Sequence, residues 1–372
     1  MNILIAPDKF KGSLTASEVC NAVEDGIVKY LPNAKIIKRP LADGGEGSLE
    51  AIEKTIQFKR ISIEVKDPLF RKIKTYYGLL DNVAYVEMAL ASGLQLLHEE
   101  ERNPMFTSSF GTGEIIADAI KKGAKKIYLF VGGSATNDAG IGIASVLGYV
   151  FKDEQKLTLE PVGRNLIKIK EIDSSNTISF HDVEVVVLTD VNNSLFGKDG
   201  AANIYAKQKG ASKSDVVQLN NGLVNFSEMV KTTFGLDVSK TSGSGAAGGV
   251  GAGALVFCNA KLKSGIETIL ELLSFDKLVQ QSDLVITGEG LLDKQTLEGK
   301  VVKGILDKCK EANKPVGVIC GSLNLSEVEI KELNATIIKS IKTKEMSIED
   351  AMQNAYSHLV KRVEELIKEI NI

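Results

Sequence analysis

Apolar residues gather in short unbroken runs near both ends of the chain. Ile3-Leu4-Ile5-Ala6 opens within Asn2–Asp8, and the stretch 34–41 follows. Far downstream come Leu284-Val285-Ile286 within 282–288, Val316 to Cys320 within 315–321, and Ile337-Ile338 within 335–339. Runs of this kind, bounded by turn residues, read as strands buried on both faces. Helical spacing separates them: Val19, Ala22, Val23 and Ile27 mark a helix over 17–30, and further helices are expected at 48–56, 299–312, 326–332 and 347–370. The last carries the core stripe Leu359, Val363, Leu366 and Ile370. Two early and three late strands, each followed by a helix, predict a five-stranded parallel sheet of the flavodoxin-like kind.

The middle of the chain is patterned differently. Arg60-Ile61-Ser62-Ile63-Glu64-Val65 alternates with a period of two, and Ile73–Leu79 and Val83–Met88 follow over short turns, which is an antiparallel signal. A helix at 111–122, a strand leading into Gly132-Gly133 and another helix, a strand at 183–189 and a glycine-rich stretch at 242–253 complete the region. The expected architecture is therefore α/β: a discontinuous flavodoxin-like domain of residues 1–60 and 261–372, with a mixed α/β domain, 61–260, inserted into it. Ligands of open parallel sheets bind outside the carboxyl ends of the strands. The active site is accordingly expected in the cleft between the two domains.

Composition narrows the function. A net charge of −3 gives no electrostatic reason for nucleic-acid or anionic-membrane binding, and aromatics at 6% with no Trp offer no base-stacking platform. No apolar run is long enough to span a bilayer, and the first residues enter a strand without a basic n-region. Cys20, Cys258, Cys309 and Cys320 lack paired spacing and the three histidines are scattered, so free thiols in a cytoplasmic chain are expected, without a zinc site. The 34 glycines cluster beside strands and helices, at Gly44–Gly47, Gly132-Gly133, Gly243–Gly251 and Gly288–Gly290, as built-in turns.

The loop from Gly132 to Gly140 has the layout of an anion site: glycines permit close approach, and free N–H groups open the next helix. A turn capped by Ser134, Thr136, Asn137 or Asp138 has the same spelling. Around it the chain supplies ammonium groups (Lys9, Lys11, Lys300) for phosphate oxygens, and carboxylates for a divalent cation or a hydroxyl proton. Asp190 ends a buried strand, where a carboxylate is costly unless paired. This inventory suits phosphoryl transfer, which asks of the protein mainly positioning and charge compensation. Neither a G-x-x-x-x-G-K-[ST] loop nor the protein-kinase signatures occur. Two other classes use similar parts. A dinucleotide oxidoreductase would need G-x-G-x-x-G after the first strand, where Asp8-Lys9-Phe10-Lys11-Gly12-Ser13 stands; a small-anion sensor would need neither metal nor base.

Taken together, the motifs are similar to those of the type 1 glycerate kinase family over nearly the whole length. The matching segments are Ala6–Leu14, Ala42–Gly47, Asp67–Arg71, Glu87–Leu94, Gly111–Glu114, Gly132–Gly140, Gly245–Gly251, and Ile286–Gly290 with Asp293, Gln295, Thr296, Gly299 and Lys300. The resemblance implies ATP-dependent, Mg²⁺-assisted phosphorylation of D-glycerate, with 2-phosphoglycerate favoured over 3-phosphoglycerate. On that footing Asp190 is the candidate base, with Lys11 and Asp43 beside it in catalysis. Ser13, Arg71, Asn137 and Asp138 are candidates for holding glycerate. Gly132, Gly133, Ser134, Gly248, Gly249, Gly288, Glu289, Gly290 and Lys300 are candidates for the nucleotide, and Asp293 with Glu289 for the metal. The chain departs from the family pattern at Lys9, Phe70, Thr189, Ser194 and Tyr205-Ala206-Lys207. Lys9 is therefore the weaker shared ligand and Lys11 the better one, while Ser194 in place of proline is expected to loosen the loop after Asp190. Which glycine loop takes which substrate, and the oligomeric state, stay open.

Overall fold

The computed structural model describes residues 1–370 other than Glu298, and the side chain of Lys54 is left aside. The chain begins with β1 (Asn2–Ile5) and β2 (Lys35–Lys38), then runs through β3 (Lys59–Lys66), β4 (Lys72–Leu80), β5 (Val83–Glu87), β6 (Lys126–Phe130), β7 (Val150–Lys152), β8 (Glu171–Asp173), β9 (Glu184–Leu188) and β10 (Lys261–Lys263). It returns with β11 (Leu284–Leu292), β12 (Val316–Leu323) and β13 (Ile337–Ser340). Two compact units result: Met1–Asp43 with Glu50–Ile56 and Gly265–Ile372, and Gly44–Leu49 with Gln57–Ser264.

The first unit is built on a parallel sheet in the order β13-β12-β11-β1-β2. This is the flavodoxin-like order expected from the alternation of apolar runs and helices. Helix Ala16–Val28 starts at a capping box, in which Thr15 Oγ1 accepts from Glu18 N and Glu18 accepts from Thr15 N. Its Val19, Val23 and Ile27 pack with Leu359, Val363 and Leu366 of helix Ala355–Glu369. The contact requires a glycine, because a Cβ on Gly26 would stand 2.6 Å from Val363 Cβ. The expected final helix is two, Ile348–Gln353 and Ala355–Glu369. β11 and β12 also run past the glycines expected to end them, through Gly288–Gly290 and Gly321. Those glycines serve close strand packing: a Cβ on Gly288 would lie 1.9 Å from Ile319 O.

The second unit carries a six-stranded sheet in the order β10-β9-β6-β5-β4-β3, with a separate β7–β8 pair. The expected antiparallel pairing holds for β3–β4 and β4–β5, after which β5, β6, β9 and β10 pair in parallel. Helix Lys213–Phe234, not anticipated above, covers this core with Leu219, Leu223, Phe226 and Val230. In the described residues no helix is long and apolar enough to cross a membrane, and all four cysteines are free and buried.

Candidate functional site

In the first unit the strand ends gather carboxyl groups. Asp8 lies just beyond β1, Asp43 follows β2, and Glu289 sits in the C-terminal part of β11. Burial pushes the Asp8 carboxyl well above the usual carboxylate range; the negative charges of Asp43 and Glu289 push it further, against the pull of Lys9. Glu289 is pushed up to about 7, by burial first and then by Asp293 and Asp43, while the hydroxyl of Thr296 and the charge of Lys300 pull it down. The Thr296 hydroxyl donates to Glu289 Oε1 at 2.5 Å. Around it Asp293 Oδ1 accepts from Gln295 N at 2.9 Å, and Lys300 Nζ donates to Gln295 Oε1 at 2.8 Å. Asp43, Glu289, Asp293 and Lys300 thus belong to one electrostatic neighbourhood, together with Asp8.

Acidic groups that raise one another's proton affinity are suited to a hard cation, which would favour their ionised forms. Among the described residues no group of three or more His, Cys, Asp or Glu side chains is arranged to hold a metal ion. Mg²⁺ is usually held by one or two carboxylates together with substrate phosphates, so the residues present fit that mode of binding rather than an all-protein cage. Lys11 is exposed in a tight turn closed by paired bonds between Phe10 and Leu14. Gly290 lies against this turn, where a Cβ would come 3.3 Å from Lys11 N. Ser13, expected on glycerate, donates its hydroxyl to Met352 O at 2.8 Å.

In the second unit the loop after β6 is heavily cross-braced. Gly132 N donates to Gly44 O at 3.1 Å, and a Cβ on Gly132 would lie 2.4 Å from Gly45 Cα. Buried Glu87, at the end of β5, accepts from Gly47 N at 2.8 Å and Leu49 N at 3.0 Å, taking N–H groups at the start of helix Ser48–Ile56. Sequence reasoning gave Glu87 no role, although it stands in a family motif.

Asp138, expected to orient a ligand, is fully buried and engaged internally. It accepts from Ser109 N (2.8 Å), Ser109 Oγ (2.7 Å), Gly140 N (3.1 Å) and Gly142 N (3.3 Å). Burial holds its pKa above the usual carboxylate range, and these donors offset only part of that rise. At the start of helix Ile141–Val146, Gly140 N and Gly142 N are thus taken by this side chain and Ile143 N by Ser109 Oγ. Gly248 and Gly249 are likewise buried, with φ of +69° and +91°, and a Cβ on Gly248 would meet Thr136 O at 2.1 Å. Close backbone packing leaves no room for a side chain at either glycine. Arg71, expected on a carboxylate of the substrate, is engaged with Asp67 at 2.5 Å and forked onto Glu101 at 2.6 and 3.3 Å.

The loop nonetheless has unsatisfied parts. Thr136 Oγ1 and Asn137 Nδ2 are buried without a hydrogen-bond partner. Gly133 is exposed and Gly132 half-buried, so that the turn reaches the surface beside Ser134. Lys209 is buried against this turn, its ammonium donating to Ser134 Oγ at 2.8 Å and Thr136 O at 2.7 Å. Elsewhere in the unit Asp190 stands past β9, with Ser264 Oγ donating to its Oδ1 at 3.0 Å from just past β10. The loop after it is tied rather than loose: Ser194 Oγ donates to Phe196 O, and Tyr205 OH to Asn193 Oδ1.

Comparison with known proteins supplies the class. The glycerate kinase family profile matches residues 3–371. A glycerate kinase of Halalkalibacterium halodurans is 40% identical over 363 residues, covering 96% of this chain and 95% of the relative. Glycerate 2-kinase of Escherichia coli K12 is 38% identical over 362 residues, covering 96% and 95%. A crystal structure from Salmonella typhimurium LT2, provisionally described as glycerate kinase 2, superposes with a TM-score of 0.84 at 37% identity, covering 99% of this chain and 97% of the other.

Proposed function

Since the chain belongs to the glycerate kinase family, a class of phosphotransferases with an alcohol acceptor, we propose that it transfers the γ-phosphoryl group of ATP to D-glycerate, with Mg²⁺, in the cytoplasm. We further propose the 2-hydroxyl as acceptor, by analogy with the relative named glycerate 2-kinase. The observation that carries this reading is the gathering of Asp8, Asp43 and Glu289 at the carboxyl ends of β1, β2 and β11, where burial and the negative charge of Asp43 raise the proton affinity of Asp8 and of Glu289.

A divalent cation supplies charge neutralisation on phosphate oxygens when bound, and Glu289 and Asp293 are the residues that would hold it. Lys300 and Lys11 add positive charge for phosphate. Gly133, Ser134 and Asn137 offer donors for an anionic oxygen. Asp190 takes the hydroxyl proton of glycerate, with Ser264 fixing the orientation of its carboxylate. Asn137 fits a substrate-binding part because its amide is a donor still without a partner. An ADP-release assay with D-glycerate, saturating ATP and Mg²⁺ tests the proposal: release that depends on glycerate is expected, and binding without release would point instead to a sensor.

A further inference from the structure

A lysine buried in a protein interior normally faces a carboxylate, because an ammonium without a counter-charge loses its hydration uncompensated. Lys209, 4% exposed, has no such partner in direct contact among the described residues. Its two hydrogen bonds go to neutral oxygens, Ser134 Oγ and Thr136 O. The acidic group that acts on it is Asp138, whose oxygens are already engaged by Ser109, Gly140 and Gly142. Burial accordingly pulls the Lys209 pKa down to about 7.

The consequence falls on Ser134. Its oxygen accepts from Lys209, so its own hydrogen must be directed elsewhere, and among the described residues that hydrogen has no acceptor. Two further polar atoms of the same loop, Thr136 Oγ1 and Asn137 Nδ2, are buried and unpartnered. The next residue toward solvent is exposed Gly133, whose φ of +75° keeps the corner free of a side chain. A lone buried ammonium, a hydroxyl polarised by it and unfilled donors in one loop make up a site lacking its anion.

We propose that Lys209 is a positioning residue, holding the Ser134 hydroxyl so that it donates to an anionic oxygen of a substrate at the Gly133–Ser134 corner. The oxygen belongs either to the carboxylate of glycerate or to a phosphate of the nucleotide. This deepens the kinase reading and rests on it for the identity of the two anions.

The test compares Ser134→Ala, Lys209→Met and the double variant with the wild type. Isothermal titration with glycerate and with ATP–Mg²⁺ is run separately, alongside kcat and both KM values. Loss of one charge-assisted hydrogen bond should weaken one anion by roughly tenfold to a hundredfold, in both single variants. The double variant should lose little more than either single one, since the two residues act in series. A change confined to glycerate assigns the carboxylate, one confined to ATP assigns the phosphate, and a change in both assigns a corner that they share. Single variants that bind both anions within about twofold of the wild type would overturn the proposal. So would normal binding by Ser134→Ala if Lys209→Met fails to fold. A wild type that binds these anions but releases no ADP would refute the kinase reading and leave the titrations to decide the anion site.

Discussion

The two units surround their carboxyl groups with different neighbours. In the inserted unit Asp138 is enclosed by hydrogen bonds from Ser109, Gly140 and Gly142 and closes a helix end. In the sheet unit Asp8 and Glu289 are driven toward protonation by burial and by neighbouring acids, Asp43 acting on both. A carboxylate whose acceptor sites are filled by the chain is scaffold, because removing it leaves buried donors unpaired. Acids crowded against acids are maintained at a cost that a bound cation would relieve. Chemical type alone does not separate the two, since each is an Asp or Glu beside glycines.

Substitutions can break this contrast. Asp190→Asn should give the largest effect, a drop in kcat of about 10²–10⁴ with ATP affinity retained, as expected for a lost general base; turnover near that of the wild type would remove Asp190 from the mechanism. Glu289→Gln should lower kcat/KM by about 10² and raise the Mg²⁺ concentration needed for half-maximal rate, while thermal stability holds or rises because a crowded acid has been neutralised.

Asp138→Asn should do the reverse, costing about 2–4 kcal/mol in denaturant unfolding as buried donors lose their acceptor, with KM values kept in the folded fraction. If Asp138→Asn proved stable but inactive, or Glu289→Gln unstable but active, the contrast would be reversed.

The smallest effect concerns Lys209, whose pKa falls from 10.5 to about 7 on folding. Between those values the unfolded chain holds the proton more tightly, so native stability rises with pH across the window, and below it the penalty is fully present. Lys209→Met should therefore melt a few degrees above the wild type at pH 6, with the difference narrowing or reversing by pH 10. Loss of a donor to Thr136 O offsets part of the gain. A difference independent of pH would mean that Lys209 is not buried as a charge.

These effects also mark what a sequence can disclose. The parallel sheet was legible because β1, β11 and β12 contain unbroken apolar runs that few other structures tolerate. Helix Lys213–Phe234 escaped because Leu219, Leu223, Phe226 and Val230 are spread among Asn, Ser and Lys, although its Ser212/Asp215 capping box was there to be read. Gly288 and Gly248 each make room for a neighbouring carbonyl, and only the fold discloses which carbonyl approaches. Lys209 was hidden for a related reason. In Lys207-Gln208-Lys209 it is spelled like surface, and tertiary packing alone decides that one of the two lysines is buried. The partnership of Ser264 with Asp190 spans 74 residues and has no local signature.

The central claim is phosphoryl transfer from ATP to glycerate, and ³¹P NMR of the product formed from D-glycerate, ATP and Mg²⁺ reads it directly. Loss of the γ-phosphate resonance and growth of a single phosphomonoester matching authentic 2-phosphoglycerate are expected. A phosphomonoester matching 3-phosphoglycerate would contradict the assigned acceptor, and free inorganic phosphate or an unchanged ATP spectrum would contradict the claim itself.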